Sequence, residues 1–149
     1  MLDPGQQAPA FELPNHAGEP VSLDDFDGRV VVYFYPRADT PGCTTEACGF
    51  RDTWDEFAER GVPIIGISDD SVSDLEKFRD KYDLPIELLS DESGEVASAY
   101  GSYGEKNMFG KTFDGVFRNT FVVRNGTIEH VFTDVSPDGH AQEILSRLE

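Results

Sequence analysis

Apolar residues follow two patterns along the chain, short continuous runs and stripes at a spacing of three or four residues. The runs at 29–35 and 62–68 are rich in β-branched residues, which predicts strands buried on both faces of a sheet. Between them an apolar stripe recurs at Cys43, Ala47, Phe50, Trp54 and Phe57. This stripe predicts one amphipathic helix with acidic residues on its opposite side.

The second half of the chain predicts shorter elements. A helix is expected over 71–82, because Ser71 or Ser73 can act as its N-cap. A short strand at 86–89, a short helix at 94–100 and a glycine-rich loop at 101–116 follow. Methionine and phenylalanine side chains stand in or beside this loop at Met108, Phe109, Phe113 and Phe117. They either pin the loop or face the active site and bind alkyl peroxides.

Two hairpins are predicted. Short apolar segments at 11–13 and 21–23 flank a turn near the N-terminus. The dipeptide Asn125-Gly126 joins strands at 119–123 and 127–133, which is a strong signal of a two-residue turn. A last helix, from about residue 139 to 148, closes the chain.

This order of elements is typical of an α/β fold, a thioredoxin-like three-layer sandwich. The expected architecture is a central mixed β-sheet flanked by helices, with an N-terminal β-hairpin. Residues 1–149 contain no linker-like stretch, so a single domain is expected.

The charge of the chain excludes one class of function. Twelve basic and 29 acidic residues give a net charge of −17, which argues against nucleic-acid binding because no basic face is available. Only four of the basic residues are lysine. High acid with low lysine resembles the surfaces of proteins from salt-loving organisms, where ionic strength screens self-repulsion. The charge also favours a monomer at low salt.

The compartment and the cysteine count point to thiol chemistry. The N-terminus at 1–5 lacks the basic and apolar regions of a signal peptide, and the apolar run at 30–35 is too short for a bilayer. We therefore expect a cytoplasmic protein without a membrane association. Two cysteines in a reducing compartment more often indicate chemistry than a structural disulfide.

Cys43 stands where a buried strand ends and a helix begins. Free backbone N–H groups and the positive end of the helix dipole point at this position, and both stabilise a thiolate. Thr40 precedes it by three residues, which allows its hydroxyl to turn into the same pocket. Pro36 and Pro41 stiffen the loop, and Pro41 forms a turn with Gly42. Cys43 is the predicted nucleophile.

The segment Pro36, Thr40, Cys43 matches the Pro-x-x-x-Thr-x-x-Cys signature of peroxiredoxins, and the chain resembles their Q-type subfamily, the bacterioferritin comigratory proteins. Further similar segments are Cys48–Asp52, Gly66–Ser68, Leu89–Asp91, Gly104–Lys106, Gly110–Thr112 and Arg118–Phe121. The resemblance covers nearly the whole chain.

The resemblance implies a thioredoxin-dependent peroxidase without a cofactor that reduces hydrogen peroxide and organic hydroperoxides in antioxidant defence. It implies that Thr40 and Arg118 bind the peroxide oxygens and that Cys43 becomes a sulfenic acid. Cys48 would be the resolving cysteine that forms a Cys43–Cys48 disulfide, and a thioredoxin-like partner would reduce it.

Helix geometry adds a constraint on that disulfide. Residues five apart in one helix have Cα atoms roughly 8–9 Å apart and point about 140° apart around the axis. A disulfide needs Cα atoms within about 7 Å. If Cys43 and Cys48 share a helix, its first turns must therefore unwind. Cys48 lies off the apolar stripe, so we expect it to face solvent.

Other chemistries fit the sequence less well. A zinc site is disfavoured because the three histidines, His16, His130 and His140, have no ligand spacing, and they are expected at the surface. Gly104 to Thr112 has the wrong spacing for a phosphate-binding loop. A disulfide oxidoreductase typically has two residues between its cysteines, whereas four intervene here. A peroxide sensor that oxidises but barely turns over stays open.

The halophilic interpretation predicts that the melting temperature rises when salt is added, because ionic strength screens repulsion among the acidic side chains. Thermal unfolding over a series of sodium chloride concentrations measures this. A melting temperature that stays constant or falls with salt would contradict it.

Overall fold

The computed structural model of the chain describes residues 2–108 and 110–148. Its strands are β1 (Glu12–Pro14), β2 (Pro20–Ser22), β3 (Arg29–Phe34), β4 (Ile64–Ser68), β5 (Glu87–Ser90), β6 (Tyr103–Met108), β7 (Lys111–Val116), β8 (Thr120–Arg124) and β9 (Thr127–Phe132). Its helices are α1 (Pro41–Asp52), α2 (Trp54–Glu59), α3 (Val72–Tyr82), α4 (Glu95–Ala99) and α5 (His140–Arg147). Among the described residues, no helix is both long and apolar enough to cross a membrane.

The central sheet has the strand order β5-β4-β3-β8-β9. Strands β3, β4 and β5 run parallel, whereas β8 runs antiparallel to β3 and to β9, so the sheet is mixed. The parallel strands are buried along nearly their whole length, as their continuous apolar sequences predict. The predicted mixed sheet is confirmed.

The sheet is covered on both faces, which gives the predicted three layers. Val31 and Tyr33 of β3 pack with residues of α1, α2, α3 and α5. Val32 and Phe34, which point to the other face, pack with the N-terminal segment and α4. The N-terminal hairpin β1–β2 is present, with Leu13 opposite Val21. The thioredoxin-like fold is thus confirmed.

Local signals explain several element ends. Ser71 caps α3, and its hydroxyl accepts a hydrogen bond from the Asp74 backbone N–H at 3.2 Å. Asn125 and Gly126 both have positive φ, at 50° and 80°, which is the type I′ turn that their dipeptide predicts between β8 and β9.

Two predicted elements differ in the structure. The single helix predicted along the stripe from Cys43 to Phe57 is two helices, because α1 ends at Asp52 and Thr53 takes a non-helical backbone conformation. The Thr53 hydroxyl donates to the Gly49 carbonyl at 2.8 Å, and this side-chain bond competes with helix continuation.

The segment 101–116 is a hairpin rather than a loop. β6 and β7 pair in antiparallel register with Tyr103 opposite Val116. The outer four residues of β7 are exposed, so the alternation of apolar and polar residues that marks a half-buried strand is missing. Phe109, one of the side chains singled out above, lies outside the described residues.

His140 also differs from its predicted surface position. It is only 2% exposed, because it begins α5 and that helix packs against α1 and β8. Its ring nitrogens contact the Thr120 hydroxyl at 2.8 Å and a Glu143 carboxylate oxygen at 3.0 Å. Burial lowers the pKa of His140, so it acts as a neutral hydrogen-bonding link between α5 and β8. His16 and His130 are half-buried.

Candidate active site

Cys43 lies in the first turn of α1, immediately behind the loop that follows β3. Thr40 is the N-cap residue of α1 and Pro41 occupies the first helical position, where a missing N–H costs nothing. The Cys43 side chain is buried, with 2% exposure, within the layer between α1 and the sheet. The structure therefore confirms that Cys43 lies at a junction between a strand and a helix.

The start of α1 presents backbone donors beside the sulfur. The Thr44 N–H already bonds to the Thr40 carbonyl at 2.8 Å, and Pro41 has no N–H. The amides of Gly42 and Cys43 are therefore the helix donors without an intrahelical acceptor. Together with the helix dipole they favour negative charge at this end of α1.

Arg118 reaches Cys43 because of the antiparallel register between β3 and β8. Thr120 is opposite Tyr33, so Arg118, two residues earlier, lies just beyond the carboxyl end of β3. Its Nη2 donates to the Cys43 sulfur at 3.3 Å. The structure thus brings together Cys43 and the arginine that the sequence singled out, although 75 positions separate them.

Gly42 makes room for this approach. A Cβ atom at Gly42 would lie 3.2 Å from Nη2 of Arg118 and 3.4 Å from Cγ of Pro137. The first of these distances is tighter than most Cβ contacts, so any larger residue would displace the guanidinium or the helix start. The glycine of the predicted Pro-Gly turn therefore also has a packing role.

Glu46 is the site residue that sequence reasoning missed. It follows Cys43 by one helical turn, and its Oε1 accepts a hydrogen bond from Nη1 of Arg118 at 2.8 Å. Its side chain is fully buried, whereas that of Arg118 is 17% exposed. The position of Glu46 in the sequence could have indicated this role. An acidic residue next to Ala47, on the apolar side of a helix, needs a buried partner.

Burial controls the protonation of this pair. Desolvation raises the pKa of Glu46 to about 7, although Arg118 opposes the shift through its charge and its hydrogen bond. Burial would lower the pKa of Arg118, but the charges of Cys43 and Glu46 outweigh it, and the pKa rises. Among the described residues, Oε2 of Glu46 has no hydrogen-bond partner.

Thr40 and the preceding loop are held in place by their own contacts. The Thr40 hydroxyl donates to the Arg37 carbonyl at 2.8 Å, so its oxygen keeps its capacity to accept a hydrogen bond. The Ala38 N–H donates to a carboxylate oxygen of Asp70 at 2.7 Å. Asp39, at a positive φ of 60°, is fixed by Lys81 at 2.9 Å. Pro36 begins this loop.

Cys48 belongs to the same helix as Cys43, and both thiols are free. Cys48 is half-buried rather than fully exposed, which places it closer to solvent than Cys43. The two cysteines are five residues apart in an intact helix, so their Cα atoms are roughly 8–9 Å apart. The described residues contain no cluster of histidine, cysteine, aspartate or glutamate that could hold a metal ion.

Comparison with known proteins gives one consistent result. The model of the AhpC/TSA family matches residues 4–131. Peroxiredoxin Bcp of Escherichia coli K12 is 48% identical over 149 residues, covering 99% of this chain and 96% of its own.

Solved structures agree with this. Peroxidoxin BcpB of Mycobacterium tuberculosis superposes with a TM-score of 0.89 at 39% identity, covering 99% of this chain and 97% of that one. The bacterioferritin comigratory protein of Xanthomonas campestris, a protein with alkyl peroxide reduction activity, superposes with a TM-score of 0.87 at 34% identity. The superposition covers 93% of this chain and 89% of that one.

The buried carboxyl of Glu46 predicts a pH-dependent cost to stability. The folded protein keeps the Glu46 proton up to about pH 7, whereas the unfolded chain releases it near the ordinary value of 4.5. The folded state binds more protons between these values, so stability falls as pH rises through this window. Glu46→Gln removes this dependence on pH. The free energy of unfolding of the variant, relative to that of the wild type, should therefore increase by on the order of 2 kcal/mol from pH 4.5 to 7.5.

Urea unfolding at a series of pH values measures this difference. Glu56→Gln, which changes an exposed glutamate on α2, is the matched control and should follow the wild-type curve. Parallel curves for the Glu46→Gln variant and the wild type would contradict the prediction.

Proposed function

The chain belongs to the AhpC/TSA family, and from that premise we propose that it is a thiol-dependent peroxidase whose nucleophile is Cys43. The observation that carries this proposal is the Arg118 guanidinium, which donates to the Cys43 sulfur at 3.3 Å beside the free amides of the α1 start. Hydrogen peroxide and organic hydroperoxides are the substrates, which are reduced to water and alcohols.

The first step is an in-line attack of the Cys43 thiolate on one peroxide oxygen. The S–O bond forms while the O–O bond breaks, and the leaving hydroxide or alkoxide takes up a proton from solvent. Arg118, which already contacts the sulfur, and the free Gly42 and Cys43 amides would donate hydrogen bonds to this developing negative charge. Thr40 accepts the hydrogen bond of the peroxide O–H, since its own hydrogen is held by the Arg37 carbonyl.

Glu46 has a positioning role in this scheme. Its carboxylate holds the second nitrogen of Arg118, so that the guanidinium is fixed in orientation before peroxide arrives. Preorganised donors stabilise a transition state without the cost of reorienting during the reaction. The two-sided contact of Arg118, with Cys43 and Glu46, supports this role.

The second step is resolution by Cys48. The Cys48 thiol condenses with the Cys43 sulfenic acid, which forms a disulfide and releases water. A dithiol reductant such as a thioredoxin-like protein then reduces the disulfide through a mixed disulfide. The partial exposure of Cys48 supports this order, because the partner reaches that sulfur more easily than Cys43.

Resolution requires α1 to open locally. The two Cα atoms are farther apart in an intact helix than a disulfide allows. Phe50 limits how far the opening extends, because its ring is fully buried among other rings. The centroid of the Phe50 ring lies 4.7 Å from that of Tyr33 and 6.0 Å from that of Phe57. We therefore place the opening between the first turn of α1 and Phe50.

The remaining attributes follow from charge and chemistry. We propose a monomer that functions as one domain over residues 1–149 and binds neither nucleic acid nor membrane. The net charge of −17 supports this, because it opposes both self-association and contact with phosphate. Recycling by a dithiol needs a reducing compartment, so the cytoplasm is the proposed location.

The central test is replacement of each cysteine by serine. Cys43→Ser should reduce peroxidase activity to the background rate, because no thiolate remains to attack the peroxide. Cys48→Ser should undergo one oxidation and then stall, unless an external thiol resolves the sulfenic acid. Steady-state NADPH oxidation with thioredoxin, thioredoxin reductase and peroxide measures turnover, and mass spectrometry after one equivalent of peroxide maps the product.

Two outcomes would overturn parts of this proposal. Full activity of the Cys43→Ser variant would exclude Cys43 as the nucleophile. Oxidation of wild-type Cys43 without turnover would indicate a peroxide sensor instead of an enzyme.

Hydrogen exchange tests the opening of α1. Amides 44 to 50 should be protected in the thiol form and exchange faster in the disulfide form, whereas amides of β8 should not change. Peroxide-treated Cys48→Ser is the control, since it is oxidised but forms no internal disulfide. Equal protection of the helix in both forms of the wild type would contradict the prediction.

A further inference from the structure

The β6–β7 hairpin carries one face that leads directly to the site. Gly104 is opposite Gly115 and Lys106 is opposite Phe113, so all four lie on the same face of the hairpin. Phe117, two residues after Gly115, continues this face beyond the strand end. Arg118 is the next residue, so this face of the hairpin ends beside the reactive thiol.

Two glycines let side chains lie flat across this face. A Cβ atom at Gly104 would lie 3.1 Å from the Phe117 ring, and one at Gly115 would lie 3.2 Å from Cδ of Lys106. The ring therefore packs over one glycine and the lysine stem over the other. As a result the Lys106 ammonium is 5.8 Å from the centroid of the Phe117 ring.

The Lys106 ammonium lies in the electrostatic environment of the site. Its pKa is lowered by partial burial and by the positive charge of Arg118, while Cys43 and Asp69 oppose the shift. The ring over which the Lys106 ammonium lies, Phe117, directly precedes Arg118 in the chain. Across the described residues, no carboxylate pairs with it within 4 Å.

An apolar surface adjoins this cation. Phe113 is 45% exposed, and its ring edge lies 3.5 Å from a Cβ position at Gly115, next to the Lys106 stem. Phe113 and Phe117 therefore flank the ammonium of the half-buried Lys106, which has no carboxylate partner in the described part of the chain. Arg118 has a different situation, because Glu46 already occupies one of its nitrogens.

We propose that Lys106 is a specificity-determining residue that binds the anionic group of organic hydroperoxides whose apolar body packs on Phe113 and Phe117. The inference rests on the peroxidase function proposed above and deepens it by naming a substrate class. Charge complementarity supports this proposal, because in a chain with a net charge of −17 this ammonium is a local positive charge next to Phe117, whose neighbour Arg118 donates to the Cys43 sulfur. The peroxide group of such a substrate would extend from the hairpin toward Cys43.

The test uses two hydroperoxides that differ only in charge, cumene hydroperoxide and its para-carboxylate derivative, with hydrogen peroxide as a third substrate. The rate constant of Cys43 oxidation is measured for each at one fixed ionic strength. Lys106→Met keeps the apolar stem but removes the charge, and Lys106→Arg keeps the charge. Lys111→Met, on the same face of the hairpin near its turn, is the matched control.

The wild type should oxidise faster with the carboxylate probe than with cumene hydroperoxide. In Lys106→Met, the rate constant of Cys43 oxidation by the carboxylate probe should fall about fivefold or more, which corresponds to the loss of a partly desolvated ion pair. The rate constants with the two neutral peroxides should change less than about twofold. Lys106→Arg should restore most of the preference, and Lys111→Met should behave like the wild type.

Other results would overturn the inference. If Lys106→Met lowered the rate constant equally for all three peroxides, Lys106 would act on the thiol instead of on the substrate. If the rate constants did not change, Lys106 would have no role in substrate binding. In both cases the proposed peroxidase function is judged separately, by activity toward hydrogen peroxide and by its loss in Cys43→Ser.

Discussion

The contact of Arg118 with two buried partners is the interaction on which the site depends. One nitrogen of the guanidinium donates to the Cys43 sulfur and another to the buried carboxylate of Glu46. A Glu46 carboxylate in this apolar layer would be an unpaired buried charge without the guanidinium, and such a charge is costly. Gly42 leaves the space through which the side chain approaches, and the register of β8 against β3 sets where it begins.

In the proposed mechanism, the helix that carries Cys43 has two requirements that conflict. Its first turn must be rigid so that the amides and the sulfur keep their geometry while peroxide reacts. The same turn must open so that Cys48 can reach Cys43. The fold confines the opening to a short part of the helix. The loop before α1 is fixed through Asp39 and Asp70, and the second half of the helix is fixed by the fully buried Phe50, so that only the turns between them are free to change.

Charge is distributed unevenly over this acidic protein. The chain as a whole repels anions, yet Arg118 donates to the Cys43 sulfur and the Lys106 ammonium lies over the ring of Phe117, the residue before Arg118. Such local fields act over short distances, while the net charge acts over longer ones and is screened by salt. In the proposed reaction, the negative charge that develops on the leaving group would therefore meet the positive charge of Arg118 at the site, although the chain as a whole is acidic.

Local patterns of neighbouring residues predict part of this protein. Continuous β-branched runs predicted β3 and β4, the Asn125-Gly126 dipeptide predicted the β8–β9 turn, and the strand–helix junction predicted Cys43 as the nucleophile. These signals involve neighbouring residues, so local sterics and backbone hydrogen bonding suffice to read them. Arg118 was found only through resemblance to a family, because nothing near it in the chain marks it as a site residue.

The other features of the site arise from contacts between segments that are distant in the chain. The pairing of Glu46 with Arg118, the burial of His140 and the position of Lys106 depend on which segments, distant in sequence, become neighbours in space. The β6–β7 hairpin was missed because its outer residues are exposed, so no core imposes an alternating pattern on them. Local sequence determined where the reactive thiol lies, whereas strand register and helix packing determined which charges surround it, because charges interact through space and not along the chain.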